Sequence, residues 1–358
     1  MQQNSIAIWD TLSSKGLVEG ERPELVLATP WYIKLLLSLS GWFGALFLVV
    51  FIGGTLSQIV GMNIERHPSI LAFVGGGLIF FAYTMFKKKQ SDFSEHFILA
   101  LSIAGQAMIL FSLNLLFSRS ATQQGIYLAM ALLQAFLMWF VPNYMHRMLT
   151  SLFMSLCFSF FFYQVGEPLI PILVLTFVAA WLWMNEFSLV ESKKIEAIAY
   201  GQTAALVWLK YISLAVPYYF VREFSVDRSL FFNAWLLHAA VFLILVYVLW
   251  KILKENQNFG NTKVLYLSIA ATVALGLLSL EVKDLMLGVI LLLVGFAHSH
   301  RLLIGLGIVS SFAFLSHYYY YTGETLMEKA GLLAIFGTGL IISRFLMRYV
   351  LKKGISDV

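Results

Sequence analysis

Long apolar segments, separated by short polar breaks, repeat along almost the whole chain. Each segment is continuous rather than alternating with polar residues, which is typical of helices that cross a lipid bilayer and need about 20 apolar residues. The pattern predicts twelve such helices, over residues 33–60, 70–86, 97–117, 125–141, 147–164, 168–185, 196–216, 231–253, 263–280, 284–299, 302–321 and 329–350. We therefore expect an all-α membrane protein, a polytopic bundle of about twelve transmembrane helices.

Several breaks between these segments contain residues that end helices. Lys87–Lys89 follow the second segment, Pro142-Asn143 follow the fourth, and Gly166–Pro168 predict a tight turn after the fifth. The seventh segment contains Lys210 and the tenth is short, so ten or eleven crossings remain open alternatives.

Lysines and arginines are distributed unevenly between the two sides of the predicted bundle. With a cytoplasmic N-terminus, 17 of the 24 fall on the cytoplasmic side and 7 on the opposite side. Cytoplasmic loops are enriched in these residues, so the bias predicts that both termini are cytoplasmic, which requires an even number of crossings. Removing one segment would move every later loop to the other side, and this favours twelve or ten crossings over eleven.

The composition agrees with this fold class. Hydrophobic residues make up 60% of the chain and charged residues 12%, whereas soluble domains carry about 25% charged residues. We expect a polar cytoplasmic head over residues 1–30, the transmembrane bundle over 31–351 and a cytoplasmic tail over 352–358. Within the head, residues 6–12 have the spacing of a short amphipathic helix, with Gly16 as its stop.

The charge and motif content narrow the classes of partner and activity. In a membrane protein, a net charge of +5 indicates topology signals and contacts with anionic head groups, so we expect membrane lipids and no nucleic acid as partners. Cys157 is the only cysteine, which excludes an intrachain disulfide or a cysteine metal site. Motifs of phosphate-binding loops, zinc proteases and serine hydrolases are absent, and the sequence predicts no cofactor and no catalytic residue.

Two ionisable residues fall inside predicted spans, where a charge costs about 2.5–3.5 kcal/mol on insertion scales. Lys210 lies in the seventh segment and His238 in the eighth. Lys210 either extends its stem to the membrane interface or forms a polar centre with His238; a lone histidine is otherwise a core residue.

His298 and His300 end the tenth segment, and a spacing of two argues against a helical metal site. An enzyme acting on lipid-linked substrates would need acidic and histidine residues at one level, and neighbouring segments do not supply such a cluster.

Polar and aromatic residues concentrate in two connections on the predicted outer side. These candidate partner-binding residues are Glu281, Lys283 and Asp284 in one connection, and His317, Tyr318, Tyr319, Tyr320, Glu324 and Lys329 in the other. If the topology is right, the two connections share a side and could pair or bind a polar partner segment. Alternatively, the tyrosines belong to the interfacial aromatic belt and the charges are ordinary loop residues.

Small and amide residues inside the spans predict close helix packing. Gly75–Gly77 and the spacing from Gly41 to Ala45 permit helices to approach closely, and Gln106 and Gln134 could hydrogen-bond between helices.

Two segments near the ends of the chain carry a recognisable pattern. The first contains Leu12, Gly16-Leu17, Pro23, Pro30-Trp31, Gly41-Trp42, Phe47, Phe51 and Gly53, and the second contains Tyr318–Tyr320, Thr325-Leu326, Lys329, Gly337 and Arg344. Together they resemble a bacterial membrane family of unknown function, often encoded beside proteins named for a GDYXXLXY motif. Ala330 departs from the family's small polar residue after the lysine. The resemblance implies a polytopic bacterial inner-membrane protein that works with a membrane-anchored, outward-facing partner, and it implies no reaction.

Two functional hypotheses follow. The first is a non-enzymatic membrane subunit or scaffold that holds a partner through the outer connections. The alternative is a transporter or lipid-handling protein whose polar centre is Lys210 and His238.

Overall fold

A computed structural model of the chain describes residues 12–16, 30–59, 68–88, 91–117, 123–186, 192–215, 234–255, 262–282, 284–321, 323 and 325–355. Within these ranges the chain forms twelve α-helices and no strand. The helices are α1 (Trp31–Ile59), α2 (Pro68–Phe86), α3 (Asp92–Phe117), α4 (Gln123–Phe140), α5 (Tyr144–Val165), α6 (Leu169–Met184), α7 (Ser192–Ala215), α8 (Ala234–Glu255), α9 (Thr262–Glu281), α10 (Leu285–Ala297), α11 (Arg301–Tyr321) and α12 (Leu326–Ile355). Each predicted span overlaps one of these helices, and the all-α class is confirmed.

Not every helix is long enough to cross a bilayer by itself. Among the described residues, six apolar segments have the length and hydropathy for a crossing: Leu35–Ile52, Pro68–Phe86, Phe93–Phe117, Tyr144–Val165, Trp235–Glu255 and Arg301–Tyr320. By contrast, α10 has 13 residues, which at 1.5 Å each span about 20 Å of a hydrocarbon core about 30 Å thick. The chain therefore has the helices of a membrane protein, while twelve crossings and the cytoplasmic location of both ends remain predictions.

The predicted breaks between α4, α5 and α6 have the capping geometry that their residues favour. The side chain of Asn143 accepts a hydrogen bond from the amide of His146 and begins α5. Gly166 ends the same helix at φ 88°, a left-handed conformation that glycine adopts without steric cost. In the head, Gly16 also has a positive φ, of 67°, after one helical turn; residues 1–11 and 17–29 lie outside the described part.

The chain divides into two compact units. The first comprises residues 1–62 and 78–104, and its core contains Ala45 of α1 and Ala100 and Leu101 of α3. A Cβ added at Gly41 would lie 2.9 Å from the carbonyl oxygen of Phe93. The close α1–α3 contact confirms the packing role predicted for Gly41 and Ala45.

The second unit comprises residues 63–77 and 105–358. Its largest core cluster surrounds Trp183, which is 1% exposed, and draws on α6, α7, α8, α10 and α11. Glycines bring its helices close together: a Cβ at Gly75 would lie 2.5 Å from the Gly105 carbonyl oxygen, and one at Gly201 would lie 2.2 Å from that of Met148. The predicted amide bond between helices is also present, since Gln134 Nε2 donates to Gln106 Oε1 at 2.9 Å.

Candidate functional site

One end of the second unit brings together residues from both predicted groups of polar side chains. The Nζ of Lys210, near the end of α7, donates to Oδ1 of Asp284, which precedes α10, in a salt bridge. The lysine side chain is 8% exposed and the aspartate side chain 24% exposed. Lys210 is therefore paired with a carboxylate of the predicted outer connection, and the pair ties α7 to the start of α10.

The backbone at Asp284 adopts the conformation that this placement requires. Asp284 has φ 68°, in the left-handed region that aspartate tolerates better than most residues. Its carbonyl accepts from the amide of Leu287 at 3.0 Å, which opens the first turn of α10. The sharp turn between α9 and α10 thus directs the carboxylate toward α7.

His238 has a different hydrogen-bond partner from Lys210. The Ser279 hydroxyl donates to the carbonyl of Gly276 at 2.7 Å, so it accepts from Nε2 of His238 at 3.0 Å. The His238–Ser279 hydrogen bond therefore joins α8 to α9, and the Lys210–Asp284 salt bridge joins α7 to the start of α10.

The two predicted outer connections also meet. Val282 and Leu285 pack with Tyr318 of α11 in one apolar cluster, and Tyr318 is buried. The Nζ of Lys329, on α12, donates to the carbonyl of Tyr319 at 2.9 Å. This carbonyl lies in the last turn of α11, where helical acceptors lack an intrahelical partner and attract cations.

Other residues of these connections remain exposed. Tyr320 is 76% exposed and Met327 87% exposed, and the rings of Tyr319 and Tyr320 meet edge to face at 5.1 Å. Glu281 is exposed and His317 half-buried. Lys283 and Glu324, both predicted as partner-binding, lie outside the described residues. We call the described residues among 281–284 and 317–329 together the loop platform.

The start of α12, within the loop platform, has a reciprocal capping arrangement. Thr325 donates from its amide to Glu328 Oε2 at 3.0 Å, and the amide of Glu328 donates back to the Thr325 hydroxyl at 3.3 Å. These hydrogen bonds from the Thr325 amide and hydroxyl hold the pKa of the Glu328 carboxyl below its usual value.

A second polar cluster, which the sequence did not predict, lies among the ends of α6 and α8, the first half of α7 and the α10–α11 turn. Glu186, just after α6, is buried and accepts a hydrogen bond from Nε2 of His300 at 2.7 Å. Trp183 contacts the rings of both His300 and Tyr200 edge to face, at 4.9 and 4.7 Å, and its indole N–H donates to Thr203. Glu186 and His300 therefore form an acid–histidine pair, although segments that are adjacent in the sequence gave no indication of one.

A lysine supports the same end of α6. The Nζ of Lys251 donates to Asn185 Oδ1 at 2.5 Å and lies 3.8 Å from Glu255. Glu186 and His300 are 114 residues apart, so no local spacing could have revealed their contact. In the described part of the chain, no group of three or more histidine, cysteine, aspartate and glutamate side chains is placed to hold a metal ion.

Comparisons with known proteins agree with the resemblance found in the sequence. Neither the search of curated proteins nor the search of solved structures finds a match. Residues 30–350 match the family described as a domain of unknown function, DUF4401. This match covers all twelve helices except the last turn and a half of α12, and the chain belongs to the DUF4401 family.

Proposed function

We propose that this chain is a non-enzymatic membrane subunit that holds an outward-facing, membrane-anchored partner through the loop platform. One observation carries the proposal: Tyr318 and Lys329 are buried and fix the platform from within, while Tyr320 and Met327 project from it. Tyrosine and methionine are enriched at the centres of protein interfaces, and a rigid display of such side chains lowers the entropy that binding costs.

The proposal includes a location and a topology. The chain would cross the inner membrane of a bacterium twelve times, with both ends in the cytoplasm and the loop platform on the outer side. The uneven distribution of lysine and arginine supports this orientation. Twelve helices overlap the predicted spans, and six of the described segments are long and apolar enough to cross a bilayer by themselves. The partner expected from the family resemblance is a protein of the GDYXXLXY type.

Purification of the tagged full-length chain from its native membrane in a gentle detergent, with mass spectrometry of co-purifying proteins, tests the proposal. We expect a stoichiometric membrane-anchored protein that is lost with Tyr320→Ala and Met327→Ala. Ile335→Ala serves as the matched control, since Ile335 is an exposed apolar residue of α12 outside the platform, and it should retain the partner. A chain that purifies without a protein partner would contradict the proposal.

A second candidate, a transporter or lipid-handling protein with its polar centre at Lys210 and His238, is favoured by the Lys210–Asp284 ion pair. Ionisable groups buried among membrane helices commonly mark substrate or proton pathways. An apolar carbodiimide, which modifies protonated carboxyl groups in membranes, separates the candidates. If the reagent modifies Asp284 in the unmodified chain and Lys210→Met does not increase this modification, the carboxyl already exchanges protons, as transport requires. If Asp284 is protected in the unmodified chain and is modified only in Lys210→Met, the ion pair is a permanent structural contact.

A further inference from the structure

Helices α10 and α11 form a hairpin whose backbones touch at three levels. A Cβ added at Gly295 would lie 2.7 Å from the amide nitrogen of Ile304, and one added at Gly307 would lie 2.7 Å from that of Leu292. A Cβ at Gly288 would lie 3.0 Å from a backbone nitrogen of α11. Helices that interlock through their backbones cannot slide past one another without steric clashes. The hairpin is therefore a rigid unit.

The turn that joins the two helices is also fixed by hydrogen bonds. Ser299 has a φ of 58°, and the amide of His300 donates to the carbonyl of Gly295 at 2.9 Å, which is typical of a Schellman motif at a helix end. The amide of Ile304 in turn donates to the carbonyl of His300 at 3.1 Å and begins α11. The backbone of His300 is therefore held by the ends of both helices.

Each end of the hairpin is tied to a neighbouring helix by a pair of ionisable residues. At the start of α10, Asp284 forms the salt bridge with Lys210 of α7. At the turn, His300 donates to the buried Glu186 at 2.7 Å, and its ring packs against that of Trp183 on α6 at 4.9 Å. The 13 residues of α10 separate the two pairs by about 20 Å. In the predicted topology, one pair lies toward the outer side and the other toward the cytoplasm.

Between these two pairs, α10 meets α6 and α7 through an apolar face. Leu287 and Leu291 pack against Leu175 of α6 and Leu206 of α7. The contact encloses a void of about 10 Å³ that Trp183 also lines. Packed helices that meet through apolar side chains can undergo small shear displacements, whereas the backbone contacts within the hairpin resist them. Once one end is released, the hairpin can therefore shift on this face as a unit.

We propose that the α10–α11 hairpin is a conformational element that couples the two ends of the second unit. When the Lys210–Asp284 pair is broken, the hairpin shifts relative to α7. The shift reaches the Glu186–His300 contact at the other end because the hairpin is rigid. Coupling of this kind is reciprocal, so loss of the Glu186–His300 contact also displaces the end that carries Asp284. Tyr318 of the loop platform lies on the hairpin, but the coupling requires no partner protein.

Distances between pairs of spin labels test whether the hairpin shifts as one body. The labels are attached to the full-length Cys157→Ser chain in lipid nanodiscs. Phe296→Cys with Ser316→Cys reports on the hairpin itself, and Trp208→Cys with Ser316→Cys reports on its position relative to α7; all three positions are exposed. Lys210→Met should change the second distance by about 2 Å, the scale of helix shifts in conformational switching, and leave the first within about 0.5 Å.

The emission of Trp183 shows whether the shift reaches the other end of the hairpin. The difference between each protein and its Trp183→Phe version isolates this signal. In Lys210→Met, quenching of the signal by aqueous acrylamide should increase at least threefold, because the ring loses its packing against His300. In the reverse direction, Glu186→Leu should change the distance between labels at positions 208 and 316. If Lys210→Met does not fold, Asp284→Asn breaks the same pair and is measured in its place.

A reference pair and a control variant separate this shift from general loosening of the bundle. Labels at Leu132→Cys on α4 and Trp208→Cys on α7, both exposed, should keep their distance in Lys210→Met. Gly75→Ala disturbs packing between α2 and α3, since its Cβ would lie 2.5 Å from the Gly105 carbonyl oxygen, and it should change neither readout. An unchanged distance between the hairpin and α7, an equal change within the hairpin or in the reference pair, or a shift that leaves Trp183 unaffected would overturn the proposal.

Discussion

Lys210 and Asp284 form a partly buried ion pair although they are 74 residues apart in the chain. Their contact joins α7 to the start of α10, and the hydrogen bond from His238 to Ser279 joins α8 to α9. The pair also links Lys210, which was predicted inside a span, to residues 281–284, which were predicted to face a partner.

Removing one member of this pair should destabilise the protein more than removing both. Lys210→Met or Asp284→Asn alone should cost about 3 kcal/mol, the low end for a broken buried pair, because Asp284 remains 24% exposed. The double variant Lys210→Met/Asp284→Asn leaves no uncompensated charge and should recover most of this loss. Unfolding in detergent, followed by circular dichroism, gives the three values; a double variant that loses the sum of the two single effects would show that the residues do not act as a pair.

The Glu186–His300 pair should stabilise the α6 end of the bundle. Glu186→Gln should lower the free energy of unfolding by about 1.5–3 kcal/mol, the range for a hydrogen bond with a charged partner, because the carboxylate is buried. The emission of Trp183 should also change, since its ring contacts His300; the difference between each protein and its Trp183→Phe version isolates this signal. Glu255→Gln is the control, because the exposed Glu255 pairs loosely with Lys251 and such pairs contribute about 0–1 kcal/mol. Equal effects of the two glutamine substitutions would argue against a special role for Glu186.

Gly201 should be essential for the contact between α5 and α7. Gly201→Ala places a methyl group 2.2 Å from the Met148 carbonyl oxygen, and overpacking of this kind costs about 1–3 kcal/mol. Gly76→Ala is the control, because no atom lies within 4 Å of its added Cβ, and it should be neutral or stabilising by up to about 1 kcal/mol. Thermal unfolding compares the two, and an unaffected Gly201→Ala would mean that the helices can separate without cost.

The Thr325–Glu328 capping arrangement should depend on pH. The pKa of Glu328 is lowered in the folded protein, so its contribution is present above the unfolded pKa and is lost as pH falls through the folded value. At pH 7, Glu328→Gln should speed hydrogen exchange at the first amides of α12, and this difference from the unmodified chain should shrink as pH falls through the lowered folded pKa of Glu328. A difference that does not change with pH would show that the carboxylate charge is not responsible.

The helices could be predicted from the sequence because their signals are local. Asn143 begins α5 and Gly166 ends it through contacts within a few residues, and each apolar run forms one helix. The contacts between distant helices could not be predicted in this way. Glu186 is 114 residues from His300, with which it pairs, and Asp284 is 74 residues from Lys210. The meeting of the two outer connections was anticipated from topology alone, whereas the apolar cluster of Val282 and Tyr318 that joins them depends on packing. The roles of the predicted site residues remain predictions.

The most direct test of the account is the side of the membrane on which the loop platform lies. The chain has a single cysteine, Cys157, so Cys157→Ser provides a background for Glu281→Cys, Glu328→Cys and Lys193→Cys, each at an exposed residue. A membrane-impermeant maleimide applied to intact spheroplasts should label the cysteines at 281 and 328, and should label the one at 193 only after the membrane is permeabilised. Labelling of 193 in intact spheroplasts, with 281 and 328 protected until permeabilisation, would contradict an outward-facing platform and the partner proposed to bind it.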